Sequence, residues 1–125
     1  MSGGKTGVSF PGQLANLDRA VALERVGGDT ELLREIVGLF LEEYPRLLAE
    51  IRSSLDSSDP VRLERAAHNL KGSVGNFGAQ AAFDAALRLE LLGRAHDMGP
   101  GEDAWQSLQR ERERLRPALV EIMQE

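Results

Sequence analysis

Residues 29–60, DTELLREIVGLFLEEYPRLLAEIRSSLDSSDP, form the longest periodic segment of the chain. Hydrophobic side chains recur in it every three or four residues, which is the spacing of one face of an α-helix. Asp29 or Thr30 is a favourable N-terminal cap, and Ser-Ser-Asp-Pro closes the segment. One long amphipathic helix is therefore predicted. Its core-facing stripe comprises Leu32, Leu33, Ile36, Val37, Phe40, Leu41, Leu47, Leu48, Ile51 and Leu55.

Segments with the same period lie on both sides of this helix. A short helix is predicted from about residue 16 to the glycine pair at 27–28, and a third helix from Pro60, capped by Asp59, to near residue 78. A fourth is predicted over 80–92 and a last over 103–123. The candidate core positions of the fourth are Ala82, Phe83, Ala86, Leu87, Leu89 and Leu91. The sequence predicts an all-α fold, an antiparallel up-down-up-down four-helix bundle with a short extra N-terminal helix.

The chain of 125 residues fits one domain. Residues 1–12 contain four glycines and Pro11, a composition typical of a flexible leader or linker. The bundle domain is therefore expected to span residues 13–125.

Composition and motifs exclude several classes of function. The net charge is −5 and there is no cysteine, so nucleic-acid binding and thiolate chemistry are not expected. No apolar run is long enough for membrane insertion and no secretory signal is present, so we expect a cytoplasmic protein. The chain lacks a glycine-rich phosphate loop, and its two histidines lack metal-ligand spacing. We expect no metal site, no cofactor, no self-contained ATP-using enzyme, and a monomer.

His68 has helical neighbours that leave its imidazole accessible. At about 100° per residue the apolar stripe of the third helix points away from His68, which should face water. Glycine inside a helix costs roughly 0.5–1 kcal/mol relative to alanine, so glycines on this polar face suggest clearance for a partner or a ligand rather than helix packing. The residues on the face of His68 are Glu64, Arg65, Lys71, Gly72 and Gly75.

The stretch AHNLKGSVGNFGA at 67–79 resembles the phosphoacceptor signature of the histidine-containing phosphotransfer (Hpt) domains of bacterial multistep phosphorelays. The resemblance extends to GGDTELLREIVGLFLEEYPRLLAEIRSSL at 27–55 and ALRLELLGR at 86–94, and covers about residues 16–123. It implies that His68 accepts a phosphoryl group from a receiver-domain aspartyl phosphate and passes it to another receiver aspartate. The implied partners are receiver domains of response regulators or hybrid histidine kinases, which would also supply magnesium.

The resemblance also assigns roles near His68. Lys71 matches the family's lysine and Gly72 the small residue that leaves the ring accessible, while Gly75 is a supporting position. From the residues themselves, Lys71 together with Arg65 would balance phosphate charge. Glu64, four residues before His68, is the candidate acceptor of a hydrogen bond from the other ring nitrogen.

Val61 is the candidate apolar docking contact because it lies two turns before His68 on nearly the same face, and Val21 is a second candidate. Two alternatives remain open: a phosphoacceptor domain of a chemotaxis-type histidine kinase, which takes phosphate directly from an ATP-binding domain, and a helical interaction module that is never phosphorylated.

Overall fold

The computed structural model describes residues 17–124 and contains five α-helices in that range, with no strand. The helices are α1 (Arg19–Arg25), α2 (Thr30–Asp56), α3 (Pro60–Gly75), α4 (Gln80–Arg94) and α5 (Gly101–Met123). The predicted leader at residues 1–12 lies outside the described residues. The first helix begins at Arg19, capped by Asp18, rather than at about residue 16 as predicted.

The four long helices form a closed ring in which each contacts two neighbours. α3 packs most extensively on α4, and the other contacts join α2 to α3, α4 to α5 and α5 to α2. Cross-helix contacts show the alternating directions: the ring of Phe40 in α2 packs against Phe77 just beyond α3, while Arg62 near the start of α3 pairs with Glu50 late in α2. The predicted all-α four-helix bundle with a short extra N-terminal helix is confirmed.

An aspartate side chain caps the N-terminus of three of the helices. The side-chain oxygens of Asp18, Asp29 and Asp59 accept hydrogen bonds from the backbone N–H groups of Val21, Leu32 and Arg62 at 3.2, 3.0 and 3.1 Å. Each bond satisfies a donor that has no partner within the helix. The predicted cap at Asp59 is confirmed, and of the two candidate caps of α2 the structure has Asp29 rather than Thr30.

The core-facing side of α4 differs from the prediction. Ala82, Ala86 and Leu89 are buried as predicted, whereas Leu91 is 46% exposed. Glu90 and Gly93 are buried instead. The buried face of α4 therefore lies further from Leu91 than the apolar pattern predicts, because it includes a carboxylate and a glycine.

Gly93 sets the distance between α3 and α4. A Cβ atom at this position would lie 2.6 Å from the backbone nitrogen of Glu64 and 2.7 Å from the carbonyl oxygen of Pro60. Both are backbone atoms of α3, which cannot move aside as the end of a flexible side chain can. The two helix backbones can therefore approach this closely only because residue 93 has no side chain.

Replacement of Gly93 by alanine should lower the free energy of unfolding by about 1–3 kcal/mol, because the methyl group forces α4 away from α3. Gly72→Ala is the matched control. A Cβ at Gly72 meets no atom within 4 Å, so that variant should gain about 0.5–1 kcal/mol of helix stability. Urea denaturation measures both changes, and wild-type stability in Gly93→Ala would contradict the packing argument.

Candidate functional site

His68 lies on the outer side of α3 with 63% of its side chain exposed. Its Nδ1 atom is 3.0 Å from Oε2 of Glu90 in α4. The predicted exposure of His68 is confirmed. The ring is therefore fixed on one side by a neighbouring helix and open to solvent on the other.

Glu90 is the centre of the polar network beneath His68. Its side chain is only 2% exposed, and its Oε1 atom lies 2.7 Å from Nζ of Lys71. Its Oε2 atom accepts a hydrogen bond from the guanidinium of Arg94 at 2.9 Å, in addition to the contact with His68. A buried carboxylate requires such charged and hydrogen-bonding partners.

The network corrects the hypothesis for Glu64. That residue was the candidate acceptor for the ring of His68, but Glu90 makes the contact. Glu64 instead accepts a hydrogen bond from Nε of Arg94 at 3.0 Å. A side chain four residues before His68 on the same helix is directed toward α4, where Arg94 attracts it.

The two glycines of the polar face have different surroundings. A Cβ at Gly72 would be in open space, whereas one at Gly75 would lie 3.4 Å from the ring of Phe83 in α4. The interpretation of both glycines as clearance is wrong for Gly75, because α4 covers the side of α3 on which Gly75 lies. Gly72 alone provides the open surface next to His68.

A shallow concavity surrounds the open side of His68. It is lined by Val61, Glu64, Arg65, His68, Glu90 and Arg94. Val61 is 53% exposed at its edge, and the exposed Arg65 pairs with no carboxylate in residues 17–124. Lys71 lies deeper, with its ammonium 5.8 Å from the ring centre of Phe83. Val21 is away from this concavity and packs against Gly78 after α3.

A family model for the Hpt domain matches residues 35–118 of the chain. The chain belongs to the Hpt domain family. Hpt domains serve phosphotransfer in multistep phosphorelays and interact with receiver domains.

One solved structure similar to this Hpt domain is the HPT domain from the Hpt sensor hybrid histidine kinase from Shewanella. The similarity has a TM-score of 0.78 at 17% sequence identity and covers 90% of this chain and 97% of that one. At this identity the similarity supports the fold alone. No curated protein sequence matches the chain.

Neither a metal cluster nor a membrane span is found in the described part of this Hpt domain. Residues 17–124 contain no group of three or more His, Asp or Glu side chains placed to hold a metal ion. None of their helices is long and apolar enough to cross a membrane.

The electrostatics of this Hpt domain favour an ionised Glu90. Burial acts to raise the pKa of Glu90, but the hydrogen bonds from Lys71 and His68 and their charges outweigh it, and the pKa lies below its ordinary value. Glu90 is therefore a carboxylate at neutral pH. Because a carboxylate can only accept hydrogen bonds, Nδ1 of His68 is the donor, and in the neutral ring the lone pair lies on Nε2.

The lowered pKa of Glu90 predicts a pH-dependent contribution to stability. Since the unfolded chain binds the proton more readily than the folded one, the contribution is present above the ordinary pKa of 4.5 and is lost as the pH falls below it. The free energy of unfolding of the wild type should therefore fall more steeply below pH 4.5 than that of Glu90→Gln. If urea denaturation shows that the free energy of unfolding falls equally with pH in the two proteins, this expectation is contradicted.

Proposed function

We propose that His68 accepts a phosphoryl group from the aspartyl phosphate of one receiver domain and passes it to an aspartate of another. The observation that carries this proposal is the contact between Nδ1 of His68 and the buried Glu90, which leaves Nε2 as an exposed nucleophile.

The transfer exchanges one bond to phosphorus for another. The lone pair of Nε2 forms a bond to phosphorus, the bond between phosphorus and the aspartyl oxygen breaks, and the aspartate leaves as a carboxylate. The proton on Nδ1 stays on the ring, which gains positive charge. The Glu90 carboxylate at 3.0 Å stabilises that charge, and it needs no reorganisation to do so. The reverse steps return the phosphoryl group to a receiver.

The neighbours of His68 take distinct parts in this proposal. Gly72 leaves room for the receiver surface. Arg65, whose guanidinium pairs with no carboxylate of residues 17–124, offers it to acidic groups on the receiver. The ammonium of Lys71 lies 2.7 Å from Oε1 of Glu90 and favours the charged form of that carboxylate. Val61 is the apolar docking contact, and Val21 supports the turn after α3 through its contact with Gly78. The receiver brings its own magnesium ion.

The test is a two-step transfer. A receiver domain carrying labelled phosphate is mixed with this protein, the receiver is removed, and a second, unphosphorylated receiver is added. Label should move to this protein as acid-labile, base-stable phosphate and then to the second receiver. If a panel of receivers transfers nothing while an ATP-binding kinase domain labels the protein directly, the chemotaxis-type alternative replaces the proposal. No label from either source favours the phosphate-free interaction module.

A further inference from the structure

Arg94 connects the two carboxylates beside His68. Its guanidinium donates to Oε2 of Glu90 at 2.9 Å and, through Nε, to Oε2 of Glu64 at 3.0 Å. The same Oε2 of Glu90 lies 3.0 Å from Nδ1 of His68. Arg94 is therefore held next to the imidazole by an oxygen atom with which both groups make contact.

A phosphoryl group on Nε2 brings negative charge to a site that already contains two carboxylates, so a cation must approach it. Lys71 is poorly suited to do so. Its side chain is 20% exposed and its ammonium is paired with the buried Glu90 at 2.7 Å. Movement of Lys71 to the phosphoryl group would remove a partner from a buried charge, which is strongly unfavourable.

Arg94 can move at much lower cost. Its side chain is 56% exposed, and the side chain of Glu64 is 38% exposed. Ion pairs between partners this accessible to water contribute little to stability, and water can solvate Glu64 once it is released. Arg94 can keep its contact with Glu90 through one nitrogen while its other nitrogens reach the phosphoryl oxygens, because a guanidinium has five N–H donors in a planar fork.

Arg65 is the remaining cation of the concavity. It has no partner among the described residues that directs its guanidinium toward the ring, so contact with the phosphoryl group would require ordering of a long flexible side chain. The guanidinium of Arg94, in contrast, is already held near the ring by its hydrogen bond to Glu90.

We propose that Arg94 is the counter-ion of phosphorylated His68 and that Glu64 binds Arg94 while His68 is unphosphorylated. On phosphorylation Arg94 leaves Glu64, keeps Glu90 and binds the phosphoryl oxygens. This inference rests on the proposed function, since it requires a phosphoryl group on Nε2 of His68.

The experiment uses phosphoramidate as the phosphoryl donor, so that no partner protein is needed. Nε2 of His68 attacks phosphorus, the P–N bond of phosphoramidate breaks and ammonia leaves. Phosphorus NMR detects the phosphohistidine, and its chemical shift against pH gives the midpoint of the second ionisation of the phosphoryl group. Nitrogen–proton NMR follows the Nε–H of Arg94, assigned by its loss in Arg94→Gln.

In the wild type the Nε–H signal of Arg94 should shift on phosphorylation. Arg94→Gln should raise the phosphoryl midpoint by about half a pH unit, because a nearby cation favours the dianion. Arg88→Gln is the matched control: Arg88 lies on the same helix and pairs with Asp103 across to α5, so the midpoint should not change. Glu64→Gln should lower the midpoint in the wild-type background and should have less effect in Arg94→Gln.

The outcomes separate this inference from the function on which it rests. Phosphohistidine that forms with an unchanged Arg94 signal, or with equal midpoints in wild type and Arg94→Gln, overturns the role of Arg94 and leaves the proposed function standing. A midpoint that changes in Arg65→Gln alone assigns the phosphoryl group to Arg65 instead. No phosphohistidine on His68, from phosphoramidate or from receivers, overturns both.

Discussion

Replacement of His68 by glutamine should abolish the transfer of acid-labile phosphate from a phosphorylated receiver that we propose for this protein. Glutamine keeps a polar side chain of similar reach, but its amide nitrogen has no lone pair available for attack on phosphorus. The fold should be unchanged, because 63% of the His68 side chain is exposed and its main contact is one hydrogen bond. Autoradiography after transfer and circular dichroism measure the two properties.

His96→Gln is the matched control for this substitution. His96 is the other histidine of the chain and lies in the loop after α4, where its backbone has a positive φ of 54°. Phosphate transfer should proceed in this variant as in the wild type. Label retained in His68→Gln and lost in His96→Gln would move the acceptor to the loop and would overturn the assignment of the site.

Replacement of Glu90 should have the second largest effect on transfer. Glu90→Gln keeps an oxygen that can accept from Nδ1 but removes the negative charge that stabilises the ring in the proposed transfer. Carboxylates that orient metal-bound histidines contribute about 10- to 100-fold to activity, and we expect a loss of that order here. Glu90→Ala should be slower still, because the orientation of the ring is lost as well. Rapid-quench measurement of transfer from a labelled receiver gives the rates.

Stability provides a second measurement for Glu90. The alanine variant leaves Lys71, which is 20% exposed, without its carboxylate partner, and should lower the free energy of unfolding by about 1–3 kcal/mol. Glu50→Gln is the control, because Glu50 also joins two helices through an arginine, Arg62, but lies away from His68. Transfer rates for Glu90→Ala equal to those for Glu50→Gln would show that the buried carboxylate takes no part in the reaction.

The sequence predicts the fold well for physical reasons that act locally. The apolar period of residues 30–56 and the aspartate caps at Asp29 and Asp59 depend on neighbours within one or two turns. Four helices joined by short connections have few ways to bury their apolar faces. Boundaries were less accurate: α5 begins at Gly101 rather than Asp103, and α3 ends at Gly75, before the positive-φ residue Gly78.

The candidate site could be predicted only where it depends on one helix. The exposure of His68 and the open space at Gly72 follow from the helical period. Glu90 and Arg94 reach the site from α4, and no spacing within α3 indicates them. A signal was nevertheless present, since Glu90 follows Ala82 and Ala86 at four-residue intervals on a face that otherwise carries small or apolar side chains. A carboxylate at such a position needs partners, and the partners indicate a site.

The contact between backbones at Gly93 has a consequence for protein engineering. The imidazole of His68 and the carboxylate of Glu90 lie on different helices, and main-chain atoms of both helices set the distance between them. The motif at 67–79 placed alone on a foreign helix would present a histidine without a defined tautomer. A transplant that keeps the contact of His68 with Glu90 needs the whole hairpin of α3 and α4, which includes Gly93, and a surface that buries the apolar side of the hairpin.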